Sequence, residues 1–506
     1  MITEAIQASA GSLQSTPITS APTTAPSCSR QPPTGPSSSI IPAPSRLAAC
    51  EEPIYKDAFL DVLNDRFFFS DTTFDLDSHN APNICSGWMA YARKLGKDKT
   101  LLSEILLALS SVLVATDLQD PAIREDSRKR YQIAINGIRR AIQTGKSTAG
   151  GTVIDESMLM ICLACAKYEL LANKSLLNMG RHLGGLGALF QSRGVEGIDT
   201  FGLRELYCEC RPIEISVCLT ASRSSVFSLE FWKSPPWKVH YSLIAAPLQD
   251  LLDIAFAIPP LIEKWKYAKI DGLQITGLAG QRASQSSMSS KEIADLLSQL
   301  LHVYGLLQNW HEDFWNSNQQ LMRVQPATWE NSQFDPEETV KGKLFSTSNT
   351  FSHFPIAMAS VYFDGIRIQL LKNIDEMCSE SAIRIEGSDK ANAVSIEAPY
   401  KEALALLHGE DLIMSITRVL GSAEYFMDRD KKLIGPTSFM FAFHVSFSAL
   451  CRMSKLSARG TYRRQIRWCQ LISEKYEQAR LASLNSLDIG RIVTTLLEML
   501  ASDNLG

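Results

Sequence analysis

Apolar residues recur at helical rather than strand spacing along most of the chain after residue 51. One segment shows this clearly, because its apolar residues fall at i, i+4, i+7 and i+11 on one helical face. These residues are Tyr131, Ile135, Ile138 and Ile142. Asp120 is a suitable N-cap for this helix, Pro121 a suitable first residue and Gly145 a suitable end. The sequence therefore predicts an all-α fold, with one large multi-helix domain over residues 51–506.

The same spacing and its interruptions predict where the helices and loops lie. Helices are predicted over 100–118, 121–144, 155–171, 179–193, 204–224, 242–268, 291–322, 352–378, 399–428, 437–456, 461–482 and 486–502. Breaks are predicted at 234–237, 276–290, 325–338 and 379–397. No strand-like period of two recurs along the chain, and no fixed repeat length is visible.

The first 50 residues differ from the rest in composition. They contain 8 Pro, 10 Ser and 6 Thr but three charged residues, Glu4, Arg30 and Arg46. Such a segment cannot bury enough apolar area to offset the entropy lost on ordering it. Residues 1–50 are therefore predicted to be a disordered tail. They also lack the charged and apolar regions of a secretory signal.

Overall charge and cysteine spacing exclude several protein classes. The chain of 506 residues has a formal net charge of −4, with 45% hydrophobic and 21% charged residues. This is the balance of a soluble globular protein, whereas a compact nucleic-acid-binding domain is usually basic. The 11 cysteines are irregularly spaced, which favours reduced, buried thiols over a disulfide framework. The longest apolar run, near Ile161, is too short to span a bilayer, so no membrane is expected.

A glycine-rich stretch, MGRHLGGLGALFQSRG at 179–194, raises two interpretations. A dinucleotide-binding turn needs G-x-G-x-x-G between a strand and a helix, but Phe190 stands where the third glycine belongs and the preceding segment is predicted to be helical. A helix instead places apolar residues on one face and glycines on another, where a neighbouring helix comes close. The apolar face is Met179, Leu183, Leu186 and Phe190, and the glycine face is Gly180, Gly184 and Gly187. Gly194 is then a left-handed stop.

Short motifs of known chemistry fail on spacing or context. The GKS at 145–147 resembles the end of a phosphate loop, but Arg140 stands where that loop needs glycine. The His-Glu pair at 311–312 would begin a zinc-protease helix, but Trp315 replaces the second histidine. No G-x-S-x-G nucleophile elbow occurs. The sequence therefore predicts no catalytic residue, no cofactor-binding residue and no metal ligand.

Clusters of polar and sulfur side chains also have simple interpretations. The cysteine pairs lack a partner at zinc-finger spacing and are predicted to be packed thiols; they are Cys162, Cys165, Cys208 and Cys210. An acidic cluster lacks the spacing of a calcium loop and is predicted to be a solvated loop; it contains Asp71, Asp75, Asp77 and His79. The basic residues 128–130 and 139–140 could contact acidic partners or act in nuclear import, but a solvated helix face is the simpler prediction.

Three segments resemble the large C-terminal regulatory domain of fungal transcription factors that carry a binuclear zinc cluster. They are HLGGLGALFQSRG at 182–194, RELYCECRPIEISVCLTASRSSVFSLEFWKSPPW at 204–237 and GPTSFMFAFHVSFSAL at 435–450. The first is similar to the family's His-Leu, paired leucines and final Arg-Gly. The second is similar to its aromatic-Arg helix, Phe-Ser turn and closing Pro-Trp, and the third to a late apolar helix. The likeness covers about residues 50–500.

The resemblance implies a nuclear regulator of transcription that is not an enzyme. Such proteins usually begin with a six-cysteine zinc cluster, but before residue 150 this chain has only Cys28, Cys50 and Cys85, too few thiolates for two zinc ions. We therefore expect the chain either to have lost the finger or to start inside a longer gene. Direct DNA binding is not expected of the chain alone.

The partners that the resemblance implies are proteins of the transcription machinery, a DNA-binding partner or a second copy of the chain. Effector sensing between helices is a further expectation, and control of a secondary-metabolite gene cluster is a common setting for relatives. The alternatives are an α-helical scaffold unrelated to transcription and a terpenoid-handling enzyme. For the enzyme, the acidic DTTFDLD at 71–77 lies in a predicted loop rather than a metal-binding helix.

Nine residues in the resembling segments are expected to form buried Arg–Glu pairs and aromatic packing that set the order of the helices. They are His182, Arg193, Arg204, Glu205, Arg211, Glu214, Arg223, Trp232 and Trp237. For His182, contact with a partner or ligand is one interpretation, and a hydrogen bond to a backbone carbonyl is the commoner outcome for such a histidine.

Overall fold

A computed structural model describes most of the chain between residues 56 and 483. The described residues are 56, 59–63, 87–97, 99–117, 120–145, 155–173, 175–195, 198, 200–233, 246–273, 288–328, 344–386, 390–407, 411–428, 431, 434–456 and 462–483. Several sequence predictions lie outside them: the tail 1–50, the acidic cluster 71–79, Trp237 and the helix 486–502.

The described residues confirm the all-α fold. The helices are α1 (Gly87–Gly96), α2 (Thr100–Asp117), α3 (Pro121–Gly145), α4 (Glu156–Tyr168), α5 (Leu176–Arg193), α6 (Phe201–Ala221), α7 (Glu230–Lys233), α8 (Ala246–Ala255), α9 (Ile258–Leu273), α10 (Ser290–Asn318), α11 (Phe354–Glu386), α12 (Lys390–Leu407), α13 (Asp411–Gly421), α14 (Ala423–Phe426), α15 (Ile434–Leu456) and α16 (Arg463–Ser483). A π-helix (Glu169–Asn173) continues α4, and 3₁₀ turns lie at Val226–Ser228 and Gln319–Leu321.

Two short strands lie where the sequence analysis predicted none. β1 (Met322–Pro326) and β2 (Thr347–Phe351) pair antiparallel, with Met322 opposite Phe351. Most of β1 is exposed, so it lacks the buried alternate positions that produce a readable period of two. This is the physical reason that the sequence pattern missed it.

Three predicted boundaries are wrong. The predicted break 379–397 is largely helical, because α11 runs to Glu386 and α12 begins at Lys390. Serine lowers helix stability only slightly, and residues 379–386 contain no Gly or Pro. The predicted helix 242–268 is two helices, and the prolines at 259–260 stand in the first turn of α9, where proline is tolerated. The predicted helix 399–428 is divided among α12, α13 and α14.

The helix α3 confirms its predicted start. The Asp120 carboxylate accepts hydrogen bonds from the backbone N–H of Ala122 at 2.8 Å and of Ile123 at 3.3 Å, and Pro121 is the first helical residue. The basic run on α3 is less solvated than predicted. Arg130 is half-buried and bonds Asp126 at 2.7 Å and Glu104 of α2 at 3.0 Å. One of these arginines therefore joins two helices instead of facing water.

The glycine helix is α5, and its predicted apolar face is confirmed, because all four residues of that face are buried. The predicted close approach along the glycine face is only partly correct. A side chain at Gly187 would meet Val226 at 3.1 Å, whereas nothing lies within 4 Å of the position that a side chain would take at Gly184. Gly194 ends the helix with φ 79° and ψ 167°, a conformation that is open almost only to glycine but is not the left-handed helical one.

The C-terminal helices surround α11. This helix packs against α10, α12, α13 and α15, and α8 links it to α6 of the N-terminal helices. One core cluster of buried residues extends from the N-terminal to the C-terminal helices. The segment Ile434–Lys455 of α15 is long and apolar enough to cross a membrane by length and composition alone, and 50% of that window is buried. A core helix passes the same test.

Candidate functional site

Four buried rings from two of the resembling segments form one cluster, which we call the aromatic centre. It consists of Phe190 of α5, Tyr207 of α6, Phe227 of the 3₁₀ turn and Trp232 of α7. Every pair of ring centroids is 5.5–6.2 Å apart, and most pairs meet edge to face. The Tyr207 hydroxyl donates to the Trp232 carbonyl at 2.5 Å. The rings thereby hold the turn after α6 against α5 and α6.

Arg211 borders the aromatic centre and is almost fully buried, at 1% exposure. Its guanidinium lies 5.1 Å from the centre of the Tyr207 ring. It donates to the Asp253 carboxylate at 2.5 Å and to the Gln249 side-chain oxygen at 2.9 Å. The expected buried arginine pair is therefore present, but its acceptors lie on α8, and they are an aspartate and a glutamine rather than a glutamate.

Gln249 also corrects a defect in α6. Pro212 lies inside this helix, and because proline has no N–H it cannot donate to the carbonyl four residues earlier. That carbonyl belongs to Cys208, and the Gln249 amide donates to it at 3.4 Å. One buried glutamine therefore bonds both Arg211 and the carbonyl that the proline leaves without its helical donor.

Glu214 and Arg223 form the predicted Arg–Glu pair, with 2.9 Å between carboxylate and guanidinium. Ser222 ends α6 with φ 51°, which turns the chain so that Arg223 reaches back to Glu214. The Cys218 thiol donates to the same carboxylate at 3.3 Å, and burial raises its pKa above the ordinary value. The thiol is therefore protonated and unreactive at neutral pH.

Glu205 does not form the predicted pair. Glu205 is 6% exposed. Its carboxyl group packs against Gly87 so closely that a Cβ atom at that position would lie 2.8 Å from a carboxyl oxygen. Among the described residues it makes no ion pair. Burial and, after it, the negative charge of Glu209 raise the pKa of Glu205 to about 8, although Arg204 lowers it. This carboxyl therefore keeps its proton in much of the neutral range.

A second polar group, the Glu169 cluster, lies where α4 changes into the π-helix. It consists of Tyr131, Glu169, Asn173, Asn178 and His182. The Tyr131 hydroxyl donates to one Glu169 oxygen at 2.5 Å, and the two asparagine amides donate to the other oxygen at 2.9 and 3.2 Å. The buried carboxylate is therefore well supplied with donors. Single π-turns of this kind often occur at functional positions.

His182 belongs to the Glu169 cluster and does not bond the backbone carbonyl that the sequence suggested. Its Nε2 lies 3.0 Å from the Tyr131 hydroxyl oxygen. Because that hydroxyl donates to Glu169, the tautomer that fits has the proton on Nε2. Burial lowers the pKa of His182, Arg139 lowers it further, and Glu169 opposes both. The ring is therefore neutral at pH 7 and acts here as a hydrogen-bond donor.

The predicted cysteine thiols are packed, as expected. Cys162, Cys165 and Cys210 are buried, and Cys208 is half-buried. Burial raises the pKa of Cys162 to about 12. Within the described part of the chain, no three His, Cys, Asp or Glu side chains are placed to hold a metal ion. The incomplete zinc-protease pattern lies on α10, where the ring centroids of His311 and Trp315 are 6.3 Å apart.

Two of the nine singled-out residues lie at the margins. Arg193 is in the last turn of α5, where a cation is favourable for the helix dipole, and Arg204 is half-buried in the first turn of α6.

No model of a known protein family matches the chain, and neither do curated proteins or solved structures.

Sequence reasoning missed a third polar group, which we call the arginine seam. It lies between α10, α11 and α13 and consists of Tyr304, His311, Asp364, Arg367, Asp411 and Arg418. Asp364 and Arg367 are 1% and 3% exposed on α11, whose buried residues are mostly apolar. Two charged residues at i and i+3 in such a helix are the signal that could have found it.

Proposed function

We propose that the protein is a non-catalytic regulator of transcription whose helical domain acts through protein contacts and effector sensing. The observation that supports this most is the aromatic centre. Its rings come from the two separate segments that resemble the regulatory domain, with Phe190 from 182–194 and the other three from 204–237. Residues that resemble one family in sequence therefore meet in one packed unit.

The third resembling segment lies in α15, which packs on the central helix α11. That helix contacts α6 directly, where the Gln369 amide donates to the Leu219 carbonyl at 3.4 Å. All three resembling segments thus connect through α6 and α11. These contacts favour a domain in which a shift in the position of one group of helices alters the position of another.

The test is a fusion of the full chain to a heterologous DNA-binding domain, expressed in yeast with a reporter gene behind the matching operator. We expect the fusion to change reporter expression several-fold relative to the DNA-binding domain alone. A fluorescent fusion of the same chain is expected in the nucleus. A second control is the DNA-binding domain fused to an unrelated helical protein of similar size.

The competing function is a helical scaffold unrelated to transcription. An unchanged reporter, together with a fluorescent fusion that is excluded from the nucleus, would reject the proposal in favour of the scaffold. Both measurements are needed, because a nuclear protein that requires an absent partner would still be found in the nucleus.

A further inference from the structure

The arginine seam contains a carboxylate that occupies a strong anion position. Asp411, the first residue of α13, accepts a hydrogen bond from the Tyr304 hydroxyl at 2.6 Å and pairs with the Arg367 guanidinium at 2.6 Å. Although burial raises its pKa, the bonds from Arg367 and Tyr304 lower it below the ordinary value overall. The site is therefore built for an ionised carboxylate.

The Arg367 guanidinium is not fully used by this arrangement. Its bonds to Asp411 and to the Tyr304 hydroxyl, the latter at 3.0 Å, both come from one terminal nitrogen, Nη2. The buried Nε has no hydrogen-bond partner in the described structure, and the rings of Tyr304 and Phe363 lie 5.6 and 5.8 Å from the guanidinium carbon. A buried guanidinium with an unused donor favours a second oxygen, which a two-oxygen ligand would supply.

A histidine borders the two arginines of the seam at its α10 side. The His311 ring stacks on Phe363 with centroids 4.3 Å apart. Burial and, after it, the positive charges of Arg418 and Arg367 lower the pKa of His311 to about 4. His311 is therefore neutral at pH 7 and lies near two guanidiniums. One of them, that of Arg418, is paired with the buried Asp364. A neutral donor beside two cations suits an incoming anion.

Asp411 can leave its position, because it is at the solvent side of the seam. Its side chain is 30% exposed, as is that of Arg418, while that of Arg367 is 3% exposed. A half-buried aspartate at the first position of a helix can turn to water, whereas the buried arginine cannot. Its departure would break the link through which α13 holds Tyr304 of α10.

We propose that the arginine seam is a sensing site for a small organic carboxylate, and that Asp411 is an internal competitor that occupies the site when the ligand is absent. This proposal deepens the proposed function and rests on it for its regulatory meaning. Binding would exchange one carboxylate for another on Arg367, so no net charge is buried. The exchange would release α13 from α10, and ligand binding would thereby change the arrangement of two helices packed on α11.

The test uses the purified full chain and sodium benzoate, with benzamide and sodium chloride as matched uncharged and ionic controls. Ligand-observed saturation-transfer NMR should detect saturable benzoate binding to the wild-type chain and none of benzamide. Asp411→Ala should lower the benzoate Kd about tenfold, because the competitor is gone. Arg367→Met should abolish binding.

Arg452→Met is the control arginine variant, since Arg452 lies half-exposed on α15 and pairs with Asp375 and Glu376 of α11, away from the seam. It should bind benzoate as the wild type does. If Arg367→Met does not fold, as judged by circular dichroism, Arg367→Lys replaces it in the comparison; it keeps the positive charge, removes the planar guanidinium donors and should weaken benzoate binding.

Two results would overturn the proposal. One is an equal response of the wild type to benzoate and to benzamide. The other is benzoate binding to Asp411→Ala without any binding to the wild type. That result would mean that the seam is purely structural and that the mutation itself creates the binding site. Binding is measured without transcription. An inactive reporter fusion and a fluorescent fusion excluded from the nucleus, together with intact benzoate binding, would therefore reject the proposed function but not the carboxylate site.

Discussion

Gln249 donates its amide to the carbonyl of Cys208, the one helical carbonyl whose ordinary donor is missing because Pro212 follows four residues later. The two residues are 41 positions apart. The bond explains how a buried helix tolerates an internal proline, which would otherwise leave a polar group unpaired in the core.

The first prediction is that Gln249→Ala is strongly destabilising. It removes the donor to the Cys208 carbonyl and one acceptor of the buried Arg211. A buried hydrogen bond contributes about 0.5–1.5 kcal/mol, and about 1.5–3 kcal/mol when one group is charged. We expect a loss of about 3 kcal/mol in the free energy of unfolding, measured by urea denaturation. Gln299→Ala is the control, because Gln299 is exposed and bonds only the Asp295 carbonyl of its own helix; it should change stability by less than about 0.5 kcal/mol.

A double-mutant cycle sharpens this prediction. Pro212→Ala restores an N–H that can donate to the Cys208 carbonyl, so Gln249→Ala should cost about 1 kcal/mol less in that background. Equal costs in the two backgrounds would show that the Gln249–Cys208 bond carries no stability.

The second prediction concerns the hydroxyl of Tyr207. Tyr207→Phe keeps the ring in the aromatic centre but removes the donor at 2.5 Å from the Trp232 carbonyl. We expect a loss of about 1–2 kcal/mol in the free energy of unfolding. Tyr267→Phe is the matched control, since Tyr267 is 61% exposed, and equal unfolding midpoints for the two variants would contradict the assignment.

The third prediction compares the effects on stability of replacing two glycines by alanine, one within α5 and one at its C-terminal end. Gly194→Ala forces a side chain into a conformation with φ 79° and should cost about 1–3 kcal/mol. Gly184→Ala adds a methyl where nothing lies within 4 Å and should stabilise by about 0.5–1 kcal/mol, because alanine favours a helix interior. Thermal unfolding followed by circular dichroism measures both, and shifts of the same sign would refute the prediction.

The fourth prediction is a pH dependence that arises from Glu205. Because burial raises its pKa to about 8, the folded chain holds a proton that the unfolded chain releases near pH 4–5. The folded state therefore binds more protons between about pH 5 and pH 8, and the stability from this group falls as pH rises, by at most about 1.4 kcal/mol per pH unit.

Glu205→Gln should remove this decline and leave stability near pH 5 little changed, since glutamine resembles the protonated acid. Urea denaturation at several pH values from 5 to 8 measures the slope. Glu312→Gln, at an exposed position of α10, should keep the wild-type slope. A wild-type slope in Glu205→Gln would mean that other groups cause the dependence.

The sequence by itself determined the local features of the fold. The N-cap at Asp120, the helix end at Gly194 and the apolar face of α5 were all predictable, because each depends on residues within a few positions of one another. The Glu214–Arg223 pair is also local, because its residues are nine positions apart in sequence. The predicted boundaries failed where tertiary packing tolerated proline or continued a weakly favoured helix.

The tertiary structure alone decided the long-range polar contacts. Arg211 donates hydrogen bonds to an aspartate and a glutamine on α8, and Arg367 donates one to Tyr304, which is 63 residues away in sequence. A helical pattern shows that a charged residue lies on a buried face but not which other helix supplies its partner. That choice depends on how the helices pack, because a buried charge is stable only where the fold brings an opposite charge within hydrogen-bond distance.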